Sequence, residues 1–197
     1  MSEALQVIQD HFQQSIIVKK KSFESLHKKI AQAGQACIDC LINEKKILVC
    51  GNGGSAADAQ HFSAELLNRF EMERPALPAI ALTTDTSTIT AIGNDYSFNQ
   101  IFEKQVQALG QEGDLLIAIS TSGNSKNVNL AIDAAKAKSM KIIGISGKDG
   151  GSMAKLLTDQ INLIVPAERT AHIQETHIVI LHLICTLIDK GLFGDIS

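Results

Sequence analysis

His61 and Glu65 stand four residues apart in "ADAQHFSAELL", so on a helix they project from one side and reach each other. A carboxylate beside an imidazole can take a proton from carbon and return it, provided burial brings its pKa toward the working pH. A second histidine, His182, sits in "VILHLIC", where solvation is disfavoured, with Gln174 eight residues before it and close to the same stripe. A lone histidine on an apolar face is commonly a satisfied core residue, so His182 needs polar partners from elsewhere to act in catalysis. His172 and His177 are expected at the helix end and off that stripe, with no role.

A second constellation is made of hydroxyls. "AISTSGNSKN" places Ser120, Thr121, Ser122 and Ser125 around Gly123, between an apolar run and a helical stretch. Backbone N–H groups at a helix start, joined by hydroxyls, can hold a phosphate monoester without a lysine. The plainer alternative makes Ser125 an N-cap and the others turn residues. One capping serine is routine, but four hydroxyls in six residues exceed what capping requires.

The third feature is "ILVCGNGGSAADAQ", in which Gly51, Gly53 and Ala56 match G-x-G-x-x-G/A. A dinucleotide site also needs an acid about 20 residues further on to hold the ribose. The nearest candidate, Asp85, lies well beyond that spacing, and no G-K-S/T follows the glycines, so neither a nucleotide cofactor nor a Walker-type loop is expected. Cys37 and Cys40 form C-x-x-C within "AQACIDCLIN", which reads as helix interior and not as a redox turn.

The elements that must position these residues alternate. Apolar positions at helical spacing predict two helices, over 3–18 and 22–43, ahead of the first strand. Short aliphatic runs at 46–50, 79–82, 115–120, 141–146 and 161–165 then alternate with helices near 55–71, 98–109, 125–138, 151–158 and 170–190. Continuous apolar strands separated by helices indicate a parallel sheet covered on both faces. The fold class is therefore α/β, a doubly wound, five-stranded parallel sheet of flavodoxin-like type with N-terminal helices. Residues 1–44 are expected to form the helical part, available to an oligomer interface, and 45–197 the catalytic unit. "EMERPALP" at 71–78 reads as a polar entry to the second strand. In such sheets ligands bind outside the carboxyl ends of the strands, where strand order reverses. "GNGGS", "TTDTST", "STSGNS" and "GKDGG" are thus the informative loops.

With 197 residues, 45% hydrophobic and 20% charged, the chain can bury a full core. A net charge of −3 supplies no electrostatic reason to expect nucleic acid. The start lacks the basic and apolar regions of a signal peptide, and no apolar run reaches the roughly 20 residues of a membrane span. A cytoplasmic protein with reduced thiols and no membrane partner is expected.

Taken together, "CGNGGSAADAQHFSAEL", "GNDYSFNQIF", "AISTSGNSKN", "GISGKDGG" and "RTAHIQETHIVILHLICTLID" resemble the phosphoheptose isomerases, members of the sugar isomerase (SIS) domain superfamily. The resemblance implies interconversion of D-sedoheptulose 7-phosphate and D-glycero-D-manno-heptose 7-phosphate through a cis-enediol, the first step toward ADP-heptose and the core heptose of lipopolysaccharide. It implies a homotetramer with active sites at subunit interfaces. It assigns substrate contacts to Asn52, Gly53, Gly54, Ser55, Glu65, Asn94, Asp95, Ser120, Thr121, Ser122, Ser125 and Gln174. Glu65 matches the general base and His182 its partner acid, and residues matching His61, Glu65, Gln174 and His182 bind one zinc ion in many members.

A rival of another class shares the fold. The DnaA initiator-associating proteins resemble a SIS domain put to use as a protein-binding module in replication initiation, and "NRFEMERPALPAIALTTD" leans toward them. Their catalytic carboxylate and histidine are replaced, whereas Glu65 and His182 are both present here, which favours the enzyme.

Overall fold

The five aliphatic runs become strands β1 (Ile47–Gly51), β2 (Ala79–Ala81), β3 (Leu115–Ser120), β4 (Lys141–Gly147) and β5 (Ile161–Val165) in the computed structural model, which describes residues 2–194. Every residue of β1 and β3 is buried, which explains why "ILVCG" and "LLIAIS" show no polar alternation: both faces of the sheet are covered. All pairings are parallel, in the order β2-β1-β3-β4-β5. The order reverses between β1 and β3, where Gly51 pairs with Ile119, so the glycine loop and the serine loop leave the sheet side by side.

Seven helices complete the described fold: α1 (Glu3–Ile42), α2 (Gly54–Leu67), α3 (Thr86–Asp95), α4 (Ile101–Leu109), α5 (Lys126–Ala137), α6 (Gly151–Leu156) and α7 (Thr170–Phe193). α1, α2 and α7 cover one face of the sheet over a core that includes Phe62, Leu66, Ile117, Ile145, Ile180 and Ile184. α4, α5 and α6 cover the other over Leu48, Phe102, Leu116, Ile132 and Met153.

Two expectations are corrected. The pair of N-terminal helices is one 40-residue helix, because the Lys19–Lys20–Lys21 run that suggested a break is made of good helix formers, with no glycine or proline to stop the turn. The second half of α1 buries Leu26, Ile30, Cys37 and Leu41 but leaves Phe23 at its start exposed, while the first half leaves Leu5, Ile8, Phe12 and Ile16 open to solvent. The "TTDTST" loop continues into α3, capped by Asp85, whose carboxylate accepts from the Thr88 N–H (3.0 Å) and hydroxyl (2.6 Å). Those bonds lower the Asp85 pKa. Threonine-rich content hid the helix, though an aspartate at its head was a readable start signal. Asp85 is a cap and does not close β2 as a ribose-binding acid would.

α7 is long and apolar enough for a membrane span by length and composition. In this fold it packs against α1, α2 and the sheet, with Thr176, His177 and Asp189 buried along it.

Those last contacts matter. Arg74, in the stretch expected to be a polar strand entry, is buried, and its Nε donates to Asp189 Oδ1 at 2.8 Å. Its Nη1 donates to the Leu66 carbonyl (2.8 Å) and to the Pro75 carbonyl (3.1 Å), and its Nη2 to the Glu65 carbonyl (2.7 Å). One guanidinium thus satisfies the last carbonyls of α2 and ties that helix end to α7. Asp189→Asn leaves the buried guanidinium without its counter-charge, and unfolding in urea should show a loss of about 3–5 kcal/mol.

Candidate active site

The glycine loop is shaped by a side chain. Gly53 adopts a positive φ of 55° as it opens α2, and a Cβ on Gly54 would stand 1.9 Å from Gln174 Nε2. A side chain at position 54 would therefore displace the Gln174 amide from this place. Asn52 is held by a reciprocal amide pair with buried Asn127, each Nδ2 donating to the other's Oδ1 at 2.8 Å. The residue after β1 is therefore clamped to the helix after β3. Sequence reasoning missed Asn127 because its role depends on a partner 75 residues away.

In the serine loop, Ser120 Oγ donates to Ser125 Oγ at 2.9 Å, and Ser125 makes no side-chain cap bond to α5. The plainer reading of Ser125 as an ordinary side-chain cap is set aside: the hydroxyls are organised around the loop itself. Gly123 has φ 67°, and a Cβ there would lie 1.9 Å from the Gly150 carbonyl oxygen. Asn124 accepts from the Ser152 N–H at 3.0 Å, so "GKDGG" after β4 braces the serine loop from outside. Thr121 and Ser122 are half-buried at the mouth.

The titratable residues gather elsewhere. His61 Nε2 lies 3.3 Å from Glu65 Oε1 and 2.8 Å from His182 Nε2, and Phe70 stacks on the His182 ring at 5.6 Å. His182 is half-buried, with the polar partner that its sequence setting left unspecified. Two facing imidazole nitrogens and a carboxylate oxygen form a nitrogen- and oxygen-rich donor set of the kind that zinc accepts.

The structure separates what one stripe had grouped. Gln174 packs against Gly54, whereas His61 lies seven residues along α2 and His182 eight residues along α7. At 1.5 Å per residue these offsets are about 10 and 12 Å. His61, Glu65 and His182 come together; Gln174 stands at the glycine loop instead, against Gly54. Asn94 and Asp95, at the exposed end of α3, bond to each other at 2.8 Å and make no hydrogen bond to the other site residues among those described. Ser55 is buried in the first turn of α2.

Asp58, one turn before His61, has a buried and unpartnered Oδ2. Burial raises its pKa to about 6, against the opposing pull of His61. His172 and His177, expected off-face and without role, are in fact buried, because the rest of the fold covers the start of α7 on both flanks. His177 donates from Nε2 to the Ser146 carbonyl at 3.0 Å, bracing α7 against β4.

The SIS domain family model matches residues 11–147. The phosphoheptose isomerase of Shewanella loihica is 57% identical over 190 residues, covering 96% of each chain, and that of Chromohalobacter salexigens 58% identical over 185 residues, covering 93% and 94%. This chain belongs to the phosphoheptose isomerases of the SIS domain family. Among solved structures, phosphoheptose isomerase GmhA from Neisseria gonorrhoeae superposes with a TM-score of 0.90 at 49% identity, over 95% of this chain and 99% of that one. The phosphoheptose isomerase from Francisella tularensis gives 0.92 at 50%, over 96% and 100%. The family resemblance and the fold class expected from sequence are both borne out, and the initiator-associating alternative is not favoured.

His177 predicts a pH effect. Burial lowers its pKa to about 4, against the opposing bond to Ser146. The unfolded chain takes up a proton near pH 6.5 and the native state does not, so this histidine's contribution is intact above 6.5 and is lost as pH falls toward 4. In His177→Gln, which keeps a donor for Ser146, the fall in unfolding free energy across that window should be shallower by about 1.4 kcal/mol per pH unit, read from urea midpoints.

Proposed function

We propose that this phosphoheptose isomerase converts D-sedoheptulose 7-phosphate to D-glycero-D-manno-heptose 7-phosphate in the cytoplasm, as the entry step to ADP-heptose for lipopolysaccharide. The observation that carries the reading is the meeting of Glu65, His61 and His182 on the flanks of α2 and α7, in a fold whose serine loop offers hydroxyls and a helix start to an anion. The family match supports it along nearly the whole chain.

Each part has a chemical task. Ser120, Thr121, Ser122 and Ser125, with the N–H groups opening α5, hold the phosphate, while Asn52, Gly53, Gly54 and Ser55 form the facing wall. Asn94, Asp95 and Gln174 position the hydroxyls of the chain. Binding the remote phosphate orients the reacting end and lowers the entropic cost of reaching the transition state. Glu65 takes the proton from C1 of the ketose to form the cis-enediol and returns it to C2. His182 moves the proton between O1 and O2, and each such role contributes roughly 100- to 10,000-fold in rate. His61 fixes the orientation of both partners.

His61, Glu65 and His182 are the residues that would hold the zinc ion of the family pattern, whereas Gln174, eight residues or about 12 Å along α7 from His182, would not reach it within one chain. When bound, the ion supplies Lewis-acid stabilisation of the enediolate oxygens.

The same geometry argues for assembly. Within one chain, Gln174 and the serine loop lie at the carboxyl edge of the sheet, while Glu65 is eleven residues down α2 from Gly54, about 16 Å along the axis. A homotetramer that sets the phosphate loops of one subunit against the Glu65 cluster of another closes that gap. The apolar first half of α1, with Ile8, Phe12 and Ile16 exposed, supplies a surface for it.

Two experiments test this. Wild-type protein should exchange the C1 proton of sedoheptulose 7-phosphate with deuterated water, and Glu65→Gln should slow that exchange at least about 100-fold with an unchanged circular dichroism spectrum. Exchange at the wild-type rate in that variant would remove Glu65 as the base. Separately, Glu65→Gln and Ser122→Trp chains, each inactive alone, should regain activity when unfolded and refolded together, because mixed assemblies contain some sites with both parts intact. No recovery despite demonstrated subunit mixing would place each site within a single chain.

A further inference from the structure

His11 on α1 and His172 and Glu175 on α7 form a second polar cluster, made of residues distinct from His61, Glu65 and His182. His11 Nε2 is 2.8 Å from Glu175 Oε1, His172 Nδ1 is 3.5 Å from Glu175 Oε2, and the two imidazole rings lie 4.5 Å apart between centroids. One ligand atom from each of the three residues lies within 4.8 Å of the other two. His172 is 4% exposed, yet neither of its ring nitrogens has a hydrogen-bond partner. An unsatisfied buried polar group costs about 1–3 kcal/mol, a cost that a bound ligand at the nitrogen removes.

The carboxylate of Glu175 is already held by neighbours on one side. Ser15 and Lys19 both engage Oε2, which leaves Oε1 toward His11. The Lys19 ammonium opposes any cation by charge, so the binding energy must come from nitrogen donors. That favours a borderline ion over calcium or magnesium, which take oxygen ligands. Tetrahedral zinc with ligands at roughly 2.0–2.2 Å needs donor atoms separated by about 3.3 Å. One donor atom from each of the three residues lies within 4.8 Å of the other two, so side-chain rotations that draw them together by up to about 1.5 Å reach this spacing.

We propose that His11, His172 and Glu175 bind a second divalent ion of the zinc class, with water in the fourth position, clamping the first helix to the last. The ion is structural in its immediate effect: it joins the outer half of α1, whose apolar side is exposed, to the turn of α7 that carries Gln174. The site is independent of the catalytic cluster and does not rest on the isomerase reading.

The test titrates metal-stripped full-length protein with Co²⁺, following visible absorption and equivalents bound, alongside thermal unfolding. The His61→Ala/Glu65→Gln double variant should still bind one equivalent per chain. Saturation should raise its melting temperature by about 5 °C at a hundredfold excess over Kd. Adding His11→Ala should abolish both effects; His11 is partly exposed on a helix, and His11→Gln serves if the alanine variant misfolds. If the double variant binds no Co²⁺, or if His11→Ala leaves the wild-type stoichiometry unchanged, the proposal fails. Were wild type to bind a single equivalent that is lost on His11→Ala and kept in the double variant, this site would stand and the catalytic metal assignment would fall.

Discussion

The alignment of α2 with α7 depends on one buried cation. Arg74 reaches back from the segment after α2, satisfies carbonyl oxygens at that helix's end and meets Asp189 near the far end of α7, all out of water. A guanidinium suits the position because its five donors are spread in a fixed plane, and a lysine could not serve two helices at once. Two helices pinned at one end and brought into contact at the other, where Gly54 admits Gln174, cannot slide past each other. The meeting of His61 with His182 halfway between is a consequence of that double constraint.

The sheet imposes a second order on the site. Because strand order reverses between β1 and β3, two loops open side by side, and the Asn52–Asn127 amide pair locks their spacing. The serine loop is further braced by the contact of Asn124 with Ser152. These are rigid attachments of loop to scaffold, the condition under which N–H groups and hydroxyls can be held ready for a phosphate without reorganising on binding. The proposed acid and base sit instead on the sides of two long helices, α2 and α7. The division is chemically sensible: an anion is best met by loop ends and helix starts, whereas the imidazole of His182 is oriented on a packed helix flank by His61 and Phe70.

α7 carries the unusual polarity of the fold. Its sequence is apolar enough to suggest a membrane, yet His172, Thr176, His177 and Asp189 are all buried along it. His177 and Asp189 each have a partner in another element, Ser146 and Arg74 respectively. His172 is the exception, with both nitrogens unpartnered beside Glu175 and His11.

Periodicity and residue type alone determined a good deal. Uninterrupted aliphatic runs specified five parallel strands because the middle of such a sheet, β1 and β3 above all, leaves no polar face to encode, and the loops rich in glycine and hydroxyls stand at their carboxyl ends. The four-residue spacing of His61 and Glu65 made them neighbours on any helix. Tertiary structure alone decided the rest, since each decision lay in contacts between residues remote in sequence. Arg74 read as part of a strand entry until Asp189 was seen beside it, Asn127 was invisible without Asn52, and His172 and His177 read as helix-end and off-stripe residues without a role because burial is set by what packs on top. Gln174 and His182 share a stripe of one helix, yet only the docking of α7 on α2 showed that they face different places, one at the glycine loop and one at the carboxylate.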